Sequence, residues 1–246
     1  MTAPFPALLA RALRTDPGRP LLTFYDLASG ERVELSVTTY ANWVAKASGL
    51  LVDEHGLERG DTLRVDLPAH WLAAVFAGAA WNCGLVLTDD DAPSAVVTGP
   101  ESLARWEGYA GGPVLACSLL PLGVRFAAPL PPEVHDVGVE IWSQPDGFSP
   151  WDPPTAEDAA TRWTGIETTQ VGSTRAGTTQ AELDTAAAPW HGRLLSRLSP
   201  ASLQGAASVW GPLATGGSLV LVTGDDPVPA SLIESERVTG DYPIRS

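Results

Sequence analysis

The spacing of apolar positions changes several times along the chain, and each change marks an element. In "FPALLARALR" Leu8, Leu9, Ala12 and Leu13 recur at helical spacing, with Arg11 and Arg14 opposite, which predicts an amphipathic helix. "LLTFYDLASGERVELSV" predicts two strands around the turn Ser29-Gly30. Thr39 then stands where it can cap a helix over 40–54, in which Trp43, Ala47 and Leu50 share a face and which Gly56 stops. "GDTLRVDLP" alternates Leu63, Val65 and Leu67, as a strand over 62–67 with one buried face would. "HWLAAVFAGAAWNCG" places Leu72, Val75, Phe76 and Ala79 on one stripe, a helix over 70–82 closed by Gly84.

Further on the pattern shortens into unbroken apolar runs. Residues 85–87, 95–98, 114–117 and 218–222 read as strands covered on both faces. "ESLARWEGYAGG" predicts a helix between two of them, 180–188 another, "SLQGAASVWGPLATGG" a helix and turn, and "PASLIESERVT" a last helix. The stretch 145–164 is rich in Pro, Asp, Ser and Trp and reads as a long ordered loop. Strands alternating with helices predict an α/β layered fold, with mainly parallel sheets flanked by helices, over residues 1–246 as a single domain.

Composition narrows the chemistry. Hydrophobic residues make up 44% of the 246 and charged residues 18%, as in globular proteins. The formal charge is −14 and no Lys/Arg stripe exists, so neither a nucleic acid nor an anionic membrane is an expected partner. Lys46 is the sole lysine, so any mechanism that needs a catalytic lysine must use it. Cys83 and Cys117 stand apart with no C-x-x-C, which fits a reducing compartment. The apolar patch near the start is interrupted by Arg11 and Arg14 and matches neither a signal-peptide core nor a membrane span, so a cytoplasmic location is expected.

One series of features carries a resemblance. Thr39-Tyr40 leads a helix, Leu57 and Gly60-Asp61 enter a strand through Val65 that ends at Leu67-Pro68, and an Ala-rich helix closes at Gly84. "GPLATGGSLVLV" and "LIESERVT" follow in the right order downstream. This series resembles the N-terminal half of the large domain of adenylate-forming, AMP-binding enzymes: acyl-CoA synthetases, luciferases and peptide-synthetase adenylation domains. The chain as a whole looks like small actinobacterial-type proteins similar to that front half. The resemblance implies ATP or AMP as ligand and carboxylate adenylation as activity. The chain departs from the pattern by lacking the Tyr-Gly-x-Thr-Glu segment, the ribose-binding Asp and the C-terminal domain with its catalytic Lys; Lys46, in the first helix of the match, cannot replace that Lys.

In these enzymes a glycine- and hydroxyl-rich loop with a Lys cradles phosphate. The counterpart here is "ETTQVGSTRAGTTQAEL", residues 167–183. Gly172, Ser173 and Thr174 match its core, Arg175 stands where Gly is expected, and Gly177, Thr178 and Thr179 fall on Pro-Lys-Gly. A shorter-loop register also fits, and the Lys is absent in both. Arg175 is the one cation that could compensate. Thr179 and Glu182 moreover form a capping-box pattern, which occupies amides a phosphate would need. Weak or lost nucleotide binding is therefore expected.

The remaining candidates read as structural. Asp89-Asp90-Asp91 is a solvated turn, because consecutive carboxylates diverge too far to hold Mg²⁺. His70 is a capping or packing histidine at a strand end, with a general base as the alternative. His55, His135 and His191 lack ligand spacing, so no metal site is expected. The nine tryptophans read as core or as filler beneath the long loop.

Two functions stay open: a non-catalytic or regulatory relative of the AMP-binding enzymes, or a ligase completed by a partner polypeptide. Val209, Trp210 and Leu213 near the chain's end suggest an apolar face covered by a second chain, hence a homodimer or hetero-complex.

Overall fold

A helix without an exposed face must be covered on every side, and that requirement organises the molecule. The computed structural model describes residues 2–164, 177–187 and 190–243. In it every residue of the helix Trp71–Cys83 is buried. His70 caps its start through Nδ1, which accepts the Leu72 N–H at 3.2 Å, and Gly84 ends it in the left-handed conformation at φ 74°.

In chain order the helices are α1 (Phe5–Thr15), α2 (Val37–Gly49), α3 (Trp71–Cys83), α4 (Val137–Glu140), α5 (Gln180–Ala187), α6 (Ala207–Thr215) and α7 (Ala230–Ser235). The strands are β1 (Pro20–Asp26), β2 (Arg32–Ser36), β3 (Thr62–Asp66), β4 (Val86–Thr88), β5 (Ala95–Thr98), β6 (Val114–Ala116), β7 (Val134–Asp136), β8 (Ala159–Arg162), β9 (Gly177–Thr179), β10 (Arg193–Ser196), β11 (Ser218–Thr223) and β12 (Gly240–Asp241).

They form two mainly parallel sheets. The five-stranded sheet runs β12-β10-β11-β1-β2, antiparallel only at β1–β2. The seven-stranded sheet runs β7-β6-β5-β3-β4-β8-β9, antiparallel only at β8–β9. One large core joins α1, α2 and α3 to the inner faces of both sheets. The unbroken apolar runs then explain themselves. On β11, Leu219 and Leu221 enter the main core, while Val220 and Val222 pack with Leu232 of α7 on the outer face. On β5, Val97 points inward and Val96 outward to Trp106.

Several local expectations need correction. Helix α2 is capped by Ser36, whose hydroxyl accepts the Thr39 N–H at 3.1 Å; Thr39 lies inside the helix. Its far end runs on as a π-type turn, Leu50–Glu54. The segment "ESLARWEGYAGG" holds only one 3₁₀ turn, Leu103–Arg105. Its glycines are the reason: Gly108 sits at φ 71°, and a Cβ on Gly112 would collide with the Ser94 carbonyl. The long loop also contains β8.

Val209, Trp210 and Leu213 do not form a surface patch. They are buried in the main core, where Trp210 meets Phe5 edge-on at 5.6 Å. Of the tryptophans, Trp142 and Trp151 are exposed, the latter 97%. Cys83 and Cys117 are free thiols, and burial pushes Cys83 up to about 12. Among the described residues no helix is long and apolar enough to cross a membrane.

Candidate functional site

Parallel strands of both sheets end on one cleft of about 770 Å³. Its wall includes Phe24 and Asp26 at the end of β1, Asp66 and Leu67 at and just past the end of β3, Gly99 just past β5, and Thr223 at the end of β11. Crevices at the carboxyl ends of strands are where open α/β sheets take ligands, because the connecting loops diverge there.

The charge of this wall is one-sided. Asp26, Glu31, Asp66, Glu101 and Asp225 line it, and among the described lining residues there is no Lys or Arg. Some of these groups are already engaged. Asp26 accepts the Ser29 hydroxyl at 2.6 Å and the Ala28 N–H at 2.9 Å; the Ser29 bond leads in holding its carboxyl below the ordinary range. Asp66 accepts the Trp106 indole N–H at 2.8 Å and lies 3.6 Å from Arg105.

Two polar atoms are left over. Glu31 Oε1 is buried without a hydrogen-bond partner among the described residues, and burial followed by the Asp26 charge raises its carboxyl above the usual range. His70 Nε2 is likewise buried and unpartnered. Burial pushes the His70 imidazole down to about 4 against the opposing pull of Asp26, so the ring is neutral at pH 7. Because Nδ1 accepts the Leu72 N–H, the ring proton sits on Nε2. Both residues belong to the cleft wall, while the two atoms themselves are shielded from solvent. The sequence reading of His70 as a cap holds; its unpaired second nitrogen could not be read there.

A smaller pocket of about 290 Å³ adjoins through Asp66 and Leu67 and is lined further by Thr88, Asp89, Trp163, Ser199 and Ser202. Trp163 and Thr164 follow β8, and Thr164 N–H donates to Asp89 Oδ1 at 2.7 Å. Arg64 is the cation on its wall. Its guanidinium is taken by the carbonyls of Asp89 and Asp90, by the Asp91 carboxylate at 3.0 Å, and by the face of Trp106. The triple-aspartate run is therefore a turn wrapped around an arginine.

Of the seven predicted loop residues, Gly172, Ser173, Thr174 and Arg175 lie outside the described residues. Gly177, Thr178 and Thr179 form β9, and each has a structural occupation. A Cβ on Gly177 would strike the Thr161 carbonyl of β8. The Thr178 and Thr161 hydroxyls bond at 2.7 Å. Thr179 N–H donates to Glu182 Oε2 at 2.7 Å while Glu182 N–H donates to Thr179 Oγ1 at 3.2 Å, the capping box read from the sequence. Lys46 is elsewhere, on α2, bound to the Gln144 carbonyl and to Asp146 at 3.0 Å.

A Mycobacterium tuberculosis protein described as a TIGR03089 family protein is 34% identical over 242 residues, 95% of each chain. The chain belongs to the TIGR03089 family. No family model matches it. Among solved structures, this TIGR03089 family chain is similar to an acyl-CoA synthetase from Brucella canis, with a TM-score of 0.75 at 17% identity. It is similar also to an acetoacetyl-CoA synthetase from Streptomyces lividans, with a TM-score of 0.73 at 17% identity. Each match covers 96% of this chain but only 46% and 40% of the respective enzymes, in their N-terminal part. The fold is that of the front of an AMP-binding enzyme's large domain.

The structure also assembles a group that sequence spacing hides. His55, at the end of the turn after α2, and His135 of β7 both meet Glu140 of α4. The sequence reading gave these histidines no ligand relationship; in space their rings lie 4.3 Å apart.

Proposed function

We propose that this chain is a non-adenylating relative of the AMP-binding enzymes that keeps their front-half fold and binds a small cationic ligand in its main cleft. One observation carries the reading: the described cleft wall supplies five carboxylates and a neutral histidine but no cation. Adenylation needs positive charge where the α-phosphate develops its transition-state charge. Carboxylates along the cleft wall repel a triphosphate and attract an ammonium group. Glu31 Oε1 and His70 Nε2–H have no partner among the described residues, so a ligand whose binding opens them would gain an acceptor and a donor. A ligand bearing an amine and an oxygen acceptor would satisfy both.

A thermal-shift panel tests this reading. Ligand at 100 times its dissociation constant stabilises the folded chain by about 2.7 kcal/mol, a readable shift. Amine ligands carrying an acceptor should raise the melting temperature, and ATP, AMP, CoA and a stable acyl-adenylate analogue should not. Stabilisation by the adenylates and not by the amines would overturn the proposal.

A second reading draws on the partial match to the synthetases, which leaves more than half of each enzyme without a counterpart here. On that reading a partner polypeptide completes the nucleotide site, and Arg175 serves as its phosphate cation. ATP-dependent exchange that appears only with a co-purified partner would favour it.

A further inference from the structure

We propose that His55, His135 and Glu140 form a binding site for one divalent transition-metal ion of the zinc class. The three residues come from separate elements. His55 follows the turn Leu50–Glu54, His135 lies on β7, and Glu140 ends α4. Glu140 Oε2 lies 3.1 Å from His55 Nε2, and its Oε1 lies 2.9 Å from His135 Nδ1. All three ligand atoms fall within 4.8 Å of one another.

A tetrahedral zinc ion with bonds of about 2.0–2.1 Å holds such ligands roughly 3.3 Å apart. The two hydrogen-bonded pairs are already at or inside that spacing. Small rotations of the side chains would replace two N–H···O bonds with three bonds to one metal. Imidazole and carboxylate are the donor set of zinc, and of nickel or copper, more than of magnesium or calcium.

The surroundings favour a bound ion over a bare hydrogen-bonded trio. The His55 side chain is only 7% exposed, so its Nε2 faces Glu140 and His135 rather than open solvent. The His135 side chain is 40% exposed, which leaves a solvent-facing side open for a fourth ligand. The start of the short helix that carries Glu140 is held in place. Asp136 caps α4 by accepting the Gly138 N–H at 2.9 Å, and its other oxygen accepts the Phe126 N–H at 3.0 Å. The site shares no residue with the described cleft wall, so it fastens the β7 edge of the large sheet to the end of α2 rather than serving ligand binding directly.

The test is titration of the full chain, stripped with chelator, with Zn²⁺ against a competing chromophoric chelator and with Co²⁺ followed by visible absorption. One ion per chain is expected, with a tetrahedral-type Co²⁺ spectrum that a hydrogen-bonded trio alone would not give. His135→Ala, at the most exposed ligand, and Glu140→Gln should each weaken Zn²⁺ by at least about 10–100-fold, the range seen when only an outer-layer partner is lost. Circular dichroism of both variants confirms that the fold persists. Absence of saturable one-to-one binding, or equal affinity in the wild type and both variants, would overturn the proposal.

Discussion

The backbone N–H of Leu72 donates to Nδ1 of His70 at 3.2 Å, and this one bond decides which nitrogen of the histidine is left for the cleft. It fixes the tautomer, caps α3 and leaves Nε2 as a buried, unsatisfied donor. A residue that caps a helix and lines the cleft couples folding to its own protonation.

That coupling gives the first prediction. The folded-state value of about 4 lies below the ordinary 6.5, so the unfolded chain binds more protons between those values. The contribution of His70 is present above pH 6.5 and is lost as pH falls toward 4. A shift of this size corresponds to about 3 kcal/mol. Urea denaturation across that window should show the loss, and His70→Asn, which keeps a capping acceptor but does not titrate, should flatten it. An equally steep profile in the variant would assign the pH dependence to other groups.

The second prediction concerns Gln180, the first residue of α5. Its Oε1 accepts the Phe5 N–H at 2.8 Å and its Nε2 donates to the Trp81 carbonyl at 3.0 Å, both buried. It joins the start of α5 to α1 and α3. Gln180→Leu should cost about 1–3 kcal/mol, because the buried Phe5 N–H loses its partner, while the Trp81 carbonyl still accepts the Gly84 N–H at 3.4 Å. Chemical denaturation measures it, and a change below about 1 kcal/mol would mean that water or backbone movement replaces the lost bond.

Glu236 carries the third. At the end of α7 it receives Arg193, Tyr25 and Arg32, the last at 3.0 Å. Burial alone would raise its carboxyl, but these donors outweigh burial and hold it below the ordinary range. Glu236→Ala leaves the mostly buried Arg193 unpaired and should cost about 3 kcal/mol, within the range for breaking a buried pair. Double substitution with Arg193→Met should recover part of that loss. Strict additivity would show that the pair is not coupled.

Legibility in the sequence followed the length and coverage of each element. Strand β11 was readable because "SLVLV" is apolar throughout, as a strand between a core and α7 must be. Strands β7, β8, β9, β10 and β12 were not predicted as strands. They span two to four residues and owe their existence to pairing with distant neighbours rather than to a local period. Leu103 and Trp106 imitate helical spacing, but the glycines after them end the helix before it forms. The capping box at Thr179 was legible because it is local. The pairing of His55 with Glu140 was not, since 85 positions separate them. The expectation of association rested on Trp210, which the core consumes; any partner surface must lie elsewhere.

A fold whose cleft wall is acidic and carries no cation among the described residues should not adenylate, a claim that ATP–pyrophosphate exchange tests. The purified chain, given Mg²⁺, ATP and a panel of carboxylic acids, should show no exchange above a protein-free control. Exchange by the chain alone that Arg175→Ala abolishes would contradict the claim and place a working phosphate cation in the loop.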